Sequence, residues 1–186
     1  MNLVSRAAVA ALIVVTLAAC GSSPASVPPS LAPSPAPATF DESSTQFCGA
    51  FTSLIRAVGN PDTGTPSIMS KALDDAVAAQ DGAAADRAAD ALIAELESGR
   101  AHTATAARWQ PTAAIMADMD RLLVAFEAST TARRALAHLP GSADPQKAFE
   151  QAGGVQAWAG VIGGVASMPV PSGASPKPCK AFSGQI

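Results

Sequence analysis

Two histidines are the first residues to consider for metal binding or acid–base catalysis. His102 and His138 are the only imidazole side chains of the sequence, and neither has an acidic or histidine residue at helical ligand spacing. Each lies near the C-terminus of a predicted helix, where an imidazole favourably contacts solvent and the last carbonyl groups. The sequence therefore predicts no transition-metal site and no cofactor.

Two pairs of aspartates have spacings that could serve acid–base catalysis or weak cation binding. Asp86 and Asp90 are one helical turn apart, and Asp118 and Asp120 are close in sequence. Both pairs are more simply explained as solvated carboxylates on exposed helix faces, because carboxylates are usually exposed and then need no catalytic or cation-binding role. An enzyme that uses such a pair is the last-ranked hypothesis.

Motifs that carry a catalytic nucleophile or a phosphate-binding loop are absent from the sequence. It contains no nucleophile elbow, no glycine-rich phosphate loop and no serine–lysine motif of the penicillin-binding type. A non-enzymatic protein is therefore predicted.

Basic and aromatic side chains provide two further candidate sites. Arg133 and Arg134 are adjacent, and together with Arg121 they could contact an anionic headgroup or polymer. Large side chains of the later helices could form the wall of a site for an apolar ligand: Trp109, Met116, Met119, Phe126 and Trp158. The simpler alternatives are arginines that solvate a helix and aromatic residues that pack in the core.

The elements that carry these residues are predicted to be helices. Alanine supplies 43 of the 186 residues, tyrosine is absent and other aromatic residues are few. The best helix former therefore dominates, while strand-forming side chains are scarce. We expect an all-α fold, a compact bundle of about four to five helices with close contacts between helices.

Apolar periodicity and capping signals divide the chain into helices. The first helix is expected from Thr39 or Ser43 to Gly59, the second from Thr65-Pro66 to Asp81-Gly82, and the third over residues 83–108. The fourth is expected from Pro111 to Pro140-Gly141, and a last helical region opens at Asp144-Pro145. Leu122 lies in the clearest apolar stripe, on the fourth helix.

The last helical region has no charged residue between Gln151 and Pro176. A membrane span is one interpretation of this composition. The segment is rich in glycine, however, and its main apolar part from Ala152 to Met168 is short for a span. A closely packed helix of the bundle is the preferred interpretation.

The start of the chain resembles the export signal of a bacterial lipoprotein. One positive charge precedes an apolar run from Ala7 to Ala18, which ends in Leu17-Ala18-Ala19-Cys20. This ending resembles a lipobox, and the resemblance implies cleavage before Cys20 and a diacylglyceryl thioether on that residue. The protein is then anchored to the cell membrane and faces outside the cytoplasm. A retained signal anchor and an ordinary secreted protein are the alternatives.

Residues 21–38 contain six prolines, five serines and no charge, a composition typical of an extended spacer. The predicted organisation is a signal peptide at 1–19, the lipidated cysteine and spacer at 20–38, and a helical domain at 39–186. After cleavage, eleven Lys and Arg against fifteen Asp and Glu give a net charge of −4. A nucleic-acid partner therefore has no electrostatic support.

Two cysteines remain once Cys20 carries lipid. Cys48 lies in the first predicted helix and Cys179 in a proline-rich tail. In an oxidising compartment we expect them to form an intramolecular disulfide that links the tail to the bundle. Free thiols, metal ligation and intermolecular pairing are the alternatives.

The lipobox, the spacer, the alanine-rich helices and the two later cysteines together resemble the uncharacterised cell-envelope lipoproteins of actinobacteria. The resemblance covers the order of segments along the whole chain, but it is specific only at residues 17–20. It implies a location and no substrate. The leading hypothesis is a tethered, non-enzymatic module that binds an envelope protein, polymer or lipid. The second is a carrier or sensor of an apolar small molecule.

Overall fold

The fold of the described residues is all-α, as predicted. The computed structural model describes residues 39–60 and 63–168. In this range six α-helices occur: α1 (Phe40–Val58), α2 (Ile68–Ala78), α3 (Gly82–Ala106), α4 (Ala113–His138), α5 (Pro145–Gln151) and α6 (Gly154–Ala166). Two short strands, β1 (Gly59–Asn60) and β2 (Thr65–Pro66), form an antiparallel pair, and a 3₁₀ turn spans Gln110–Thr112.

Side-chain oxygens cap the N-termini of four helices, which explains where those helices begin. Thr39 accepts a hydrogen bond from the backbone N–H of Glu42 at 3.2 Å, and this bond selects Thr39 rather than Ser43 as the start of α1. The other three caps are Ser67 for α2, Asp81 for α3 and Asp144 for α5. Ser43 is buried one turn inside α1.

The prediction that Thr65-Pro66 starts the second helix is wrong. These two residues pair with Gly59-Asn60 as β2, and α2 begins at Ile68 behind its Ser67 cap. Gly59 has a φ of +120°, and a Cβ there would lie 2.2 Å from the carbonyl oxygen of Thr65. Only glycine suits this close antiparallel contact, which redirects the chain between α1 and α2.

The long helices α3 and α4 pack against each other and form the centre of the bundle. Helix α1 packs on α3, α6 and α5 pack on α4, and α2 contacts both central helices. The core includes seven large apolar side chains that are fully buried: Leu73, Leu92, Leu96, Met116, Met119, Leu122 and Leu123. Small residues bring the helix axes together, since a Cβ on Gly99 would lie 3.1 Å from Leu123 and 3.2 Å from Ser53.

The predicted last helical region is two helices, so the described residues contain six helices rather than four or five. Helix α5 ends at Gln151, and Gly153 adopts a left-handed conformation with a φ of +80°. The backbone N–H of Gly153 donates to the carbonyl of Glu150 at 2.9 Å, which closes α5 in a tight turn. Glycine tolerates this conformation, and the chain changes direction before α6 starts.

Helix α6 contains most of the uncharged segment whose composition also allows a membrane span. It has 13 residues, and it packs on α4 through Gly160 and Gly164. Among the described helices, none has the length and apolar character needed to cross a membrane.

Candidate apolar binding site

Helices α4, α5 and α6 form an open pocket of about 280 Å³ between them. Only apolar side chains line it: Leu122, Phe126, Phe149, Val155 and Trp158. Leu122 is fully buried, whereas Val155 is 52% exposed. The pocket therefore extends from the core to the protein surface.

Helical spacing and one glycine build this pocket. Leu122 and Phe126 are four residues apart on α4, and Val155 and Trp158 are three residues apart on α6, so each pair shares a helix face. Phe149 of α5 packs on Phe126 with ring centroids 4.8 Å apart. A Cβ on Gly154 would lie only 2.4 Å from the ring of Phe149, so glycine at this position makes room for that ring.

The sequence predicts two of the five pocket residues. Phe126 and Trp158 line the pocket, but Met116 and Met119 are 1% and 0% exposed and fill the core instead. Trp109 lies elsewhere, in the connection between α3 and α4, where its ring packs edge-on against Phe40 with centroids 5.3 Å apart. The predicted wall is therefore not one surface.

Leu122, Phe149 and Val155 complete the pocket, and sequence reasoning misses them as pocket residues. The apolar stripe of the fourth helix places Leu122 in the core, and its full burial is consistent with that role. Phe149 reaches the pocket because Gly153 separates α5 from α6. A turn of this kind brings together residues whose spacing in the sequence does not show that they are neighbours.

The first aspartate pair contacts a histidine and an arginine of the neighbouring helix α4. Asp86 lies 3.0 Å from Nε2 of His138, and Asp90 lies 3.0 Å from Nη1 of Arg134. The two contacts are one turn apart on both α3 and α4, and they connect exposed positions. Both carboxylates thus fasten the two central helices together at the surface.

The second aspartate pair is split between two arginines. Asp118 pairs with Arg121 on α4, whereas Asp120 accepts a hydrogen bond from Nε of Arg100 on α3 at 3.0 Å. The two carboxylates thus have different partners. Each of the four aspartates in the two predicted pairs therefore has an arginine or histidine partner of its own.

Glu127 is the described carboxylate with the most unusual surroundings. Burial raises its pKa, the nearby charge of Arg100 lowers it, and the carboxylates of Glu97 and Asp120 raise it further. Its Oε1 atom is buried and lies 3.8 Å from Nη1 of Arg100, but it has no hydrogen-bond partner among the described residues. Hydrogen bonding to Asp120 raises the pKa of Arg100, which therefore stays charged.

The predicted basic cluster is not one patch. Arg133 turns toward α2, where it donates to Ser70 at 2.9 Å and to Asp74 at 3.2 Å. Arg134 turns toward Asp90 of α3. Arg121 lies near α6, because its partner Asp118 contacts Gly160. Adjacent positions on a helix point about 100° apart, so the two neighbouring arginines separate.

The histidines do not form a metal site with other described residues. Nδ1 of His102 lies 2.6 Å from Oε1 of Gln46, and its ring packs against Gly49 of α1. His102 is thus partly buried between α1 and α3 rather than solvated as expected. Within residues 39–60 and 63–168, no group of three or more His, Cys, Asp or Glu side chains could hold a metal ion.

Cys48 is half-buried on α1 and takes part in a disulfide. The other two cysteines of the sequence, Cys20 and Cys179, lie outside the described residues, and so therefore does the disulfide partner of Cys48. The pairing with Cys179 and the lipidation of Cys20 therefore stay predictions.

Comparison with known protein families, curated protein sequences and solved structures finds no match to this chain.

Proposed function

We propose that this protein is a membrane-anchored envelope lipoprotein that acts as a non-enzymatic binding module. The observation that carries the proposal is the apolar pocket between α4, α5 and α6, whose wall contains only Leu, Phe, Val and Trp side chains. Such a wall suits an apolar group and provides no acid, base or nucleophile. The predicted lipid on Cys20 would hold the module at the membrane.

The dimensions of the pocket favour one apolar group of a larger partner. Its volume of about 280 Å³ lies at the lower end of the range for small-molecule sites, about 300–1,000 Å³. The exposed side chain of Val155 places its rim at the surface. We therefore expect an apolar side chain or a short alkyl segment to enter while the rest of the partner stays outside.

A carrier or sensor of an apolar small molecule is the second candidate. It is favoured by Phe126 and Trp158, which line the pocket as that hypothesis expects. Met116 and Met119 argue for the first candidate, because they fill the core rather than enlarge the pocket. Native mass spectrometry separates the two, since a carrier purified from its host should retain a lipid or a similar molecule.

The proposed fold includes a C-terminal tail linked to α1 through Cys48 and Cys179. Two contacts support this path. Ser43 of α1 hydrogen-bonds to Thr112 at 2.9 Å, and Ile115 in the first turn of α4 packs against Gly164 of α6. The end of α6 therefore lies near the beginning of α1. The eleven residues from 169 to Cys179 can span up to roughly 35 Å, at about 3.3 Å each.

Tryptophan fluorescence provides a direct test of the pocket. In a Trp109→Phe background, Trp158 is the only tryptophan, and titration with a short-chain alkyl maltoside below its micelle concentration should change its emission saturably. Val155→Asp should weaken this binding at least fivefold, because the new carboxylate lies at the pocket rim. Ile68→Asp is the matched control, since Ile68 is 91% exposed on α2. Emission that does not respond, or an equal response from Val155→Asp, would contradict the proposal.

A further inference from the structure

Helix α6 has an exposed face without any charged side chain. We define the α6 outer face by the following exposed residues: Val155, Gln156, Ala159, Ile162, Gly163, Ala166 and Ser167. Val155 is 52% and Ile162 is 39% exposed. We propose that this face lies against the lipid surface to which the protein is tethered, an inference that rests on the proposed lipid anchor at Cys20.

The α6 outer face differs from the exposed faces of the neighbouring helices. Helix α2 has an exposed Lys71–Asp75 pair at 2.7 Å, and the exposed Asp90 of α3 pairs with the half-buried Arg134 of α4. From Gln151 to Met168 the chain has no acidic or basic residue. A helix surface that contacts the apolar edge of a bilayer needs this lack of charge, because ionised groups are costly to transfer there.

A tryptophan and an arginine border this face in the way that an interfacial position requires. Trp158 is one turn from both Val155 and Ile162, and tryptophan favours the boundary between lipid and water. The side chain of Arg121, 61% exposed, belongs to the ion pair that lies against α6 at Gly160. A guanidinium in this position complements an anionic headgroup.

The position of the N-terminus of α1 is compatible with a lipid anchor on the side of α6. Thr39 caps α1, and the first turn of α1 contacts the residues before α4 through the Ser43–Thr112 hydrogen bond. The last turns of α6 pack on the start of α4 through Gly164 and Ile115. Thr39, the residue that follows the predicted spacer, therefore lies at the same end of the bundle as the last turns of α6. In an extended conformation the eighteen residues of the spacer would span up to roughly 55 Å, at about 3.1 Å per residue, and this length allows α6 to reach the lipid.

The area of the α6 outer face argues against a second copy of the chain as its occupant. A helix of 13 residues is about 20 Å long and presents a strip about 10 Å wide, or roughly 200 Å². A stable protein interface usually buries about 800 Å² on each partner. A lipid surface needs no such minimum, because the acyl anchor already holds the protein beside it.

Quenching by brominated lipid tests this orientation in the intact, lipidated protein. The Trp109→Phe variant, purified with its anchor, is reconstituted into phosphatidylcholine–phosphatidylglycerol vesicles with or without brominated acyl chains. We expect bromine to lower the emission of Trp158 at least twofold. Ile162→Lys in the same background should remove most of this quenching, whereas Ile68→Lys, the matched control on α2, should retain it. Circular dichroism confirms that both variants are folded.

The outcomes separate this inference from the proposed function. If the protein sediments with the vesicles but Trp158 stays unquenched, the proposed orientation of α6 is overturned, whereas the proposed lipid anchor is not. Coverage of the α6 outer face by a second copy or by residues 169–186 would give this same result and counts against the inference. Protein that does not sediment with the vesicles would overturn the anchor and the inference together. Equal quenching of Ile162→Lys and Ile68→Lys would also contradict the inference.

Discussion

Glu127 shows how a single, partly buried carboxylate links stability to pH. Its raised pKa means that the folded protein binds a proton on this side chain more tightly than the unfolded chain does. The resulting stabilisation is fully present below the unfolded pKa, which is about 4.3 for glutamate. It is lost as the pH rises through the folded pKa.

Replacing Glu127 with glutamine should therefore increase stability at neutral pH, because the neutral amide removes a partly buried charge. The free energy of unfolding in urea, measured from pH 4 to pH 7.5, should rise relative to wild type toward the upper end of this range. Glu150→Gln is the control, since Glu150 is exposed on α5. A Glu127→Gln variant that is less stable at neutral pH would show that attraction to Arg100 outweighs burial.

Leu122 is important for stability as well as for the pocket. It is 0% exposed, and its replacement by alanine should cost about 2–5 kcal/mol of unfolding free energy, measured by urea denaturation. Val155→Ala removes a half-exposed side chain from the same pocket and should cost much less. Similar losses in the two variants would mean that Leu122 is not central to the core.

At the residue level, the sequence predicts single properties better than partnerships. Capping-box spacing offers Thr39 and Ser43 as alternative starts of the first helix, and the structure selects Thr39 as the cap of α1. The contact between His138 and Asp86 joins residues 52 positions apart, and no local pattern indicates it. Partners of this kind depend on which faces of α3 and α4 meet.

At the level of elements, glycines control how closely α6 approaches α4. A Cβ on Gly164 would lie 2.6 Å from Cγ1 of Ile115, a branched side chain packed at the start of α4. Gly163, its neighbour on α6, is exposed, and a Cβ there would meet no packed atom within 4 Å. The two adjacent glycines therefore have different roles.

Alanine substitutions should distinguish these roles. Gly164→Ala should destabilise the protein by about 1–3 kcal/mol, because the new methyl group overpacks the α4–α6 contact. Gly163→Ala should stabilise it by up to about 1 kcal/mol, because alanine favours a helix at an open position. Thermal unfolding of both variants provides the comparison. A stabilising Gly164→Ala would contradict the close contact.

The sequence indicates most helices correctly and misses the details that depend on turns. Apolar stripes and caps place α1, α3 and α4 within a few residues of their observed bounds. The start predicted at Thr65-Pro66 is wrong, and the predicted last helical region is divided into two helices, for the same reason. In each case a glycine with positive φ, Gly59 or Gly153, changes the direction of the chain. The pocket depends on the second of these turns, so its full lining could not be predicted.

At the level of the whole molecule, the predicted disulfide would connect the two ends of the helical domain. Cys48 and Cys179 would close a loop of about 132 residues, for which chain entropy gives a stabilisation of up to about 5 kcal/mol. Thiol alkylation of the exported protein, with and without reductant, followed by peptide mapping should find both cysteines protected until reduction. Alkylation of both without reductant, or a cross-linked dimer as the main species, would contradict this pairing.

We propose that Cys20 carries a lipid that holds the protein at the membrane, and mass spectrometry of the protein exported by its host tests this proposal most directly. We expect the mature N-terminal residue to be Cys20, its peptide to carry acyl mass and the protein to sediment with membranes. Cys20→Ala should lose the acyl mass and the membrane association. An unmodified Cys20 in the mature protein, or a processed Cys20→Ala variant that remains in the membrane fraction, would contradict the account.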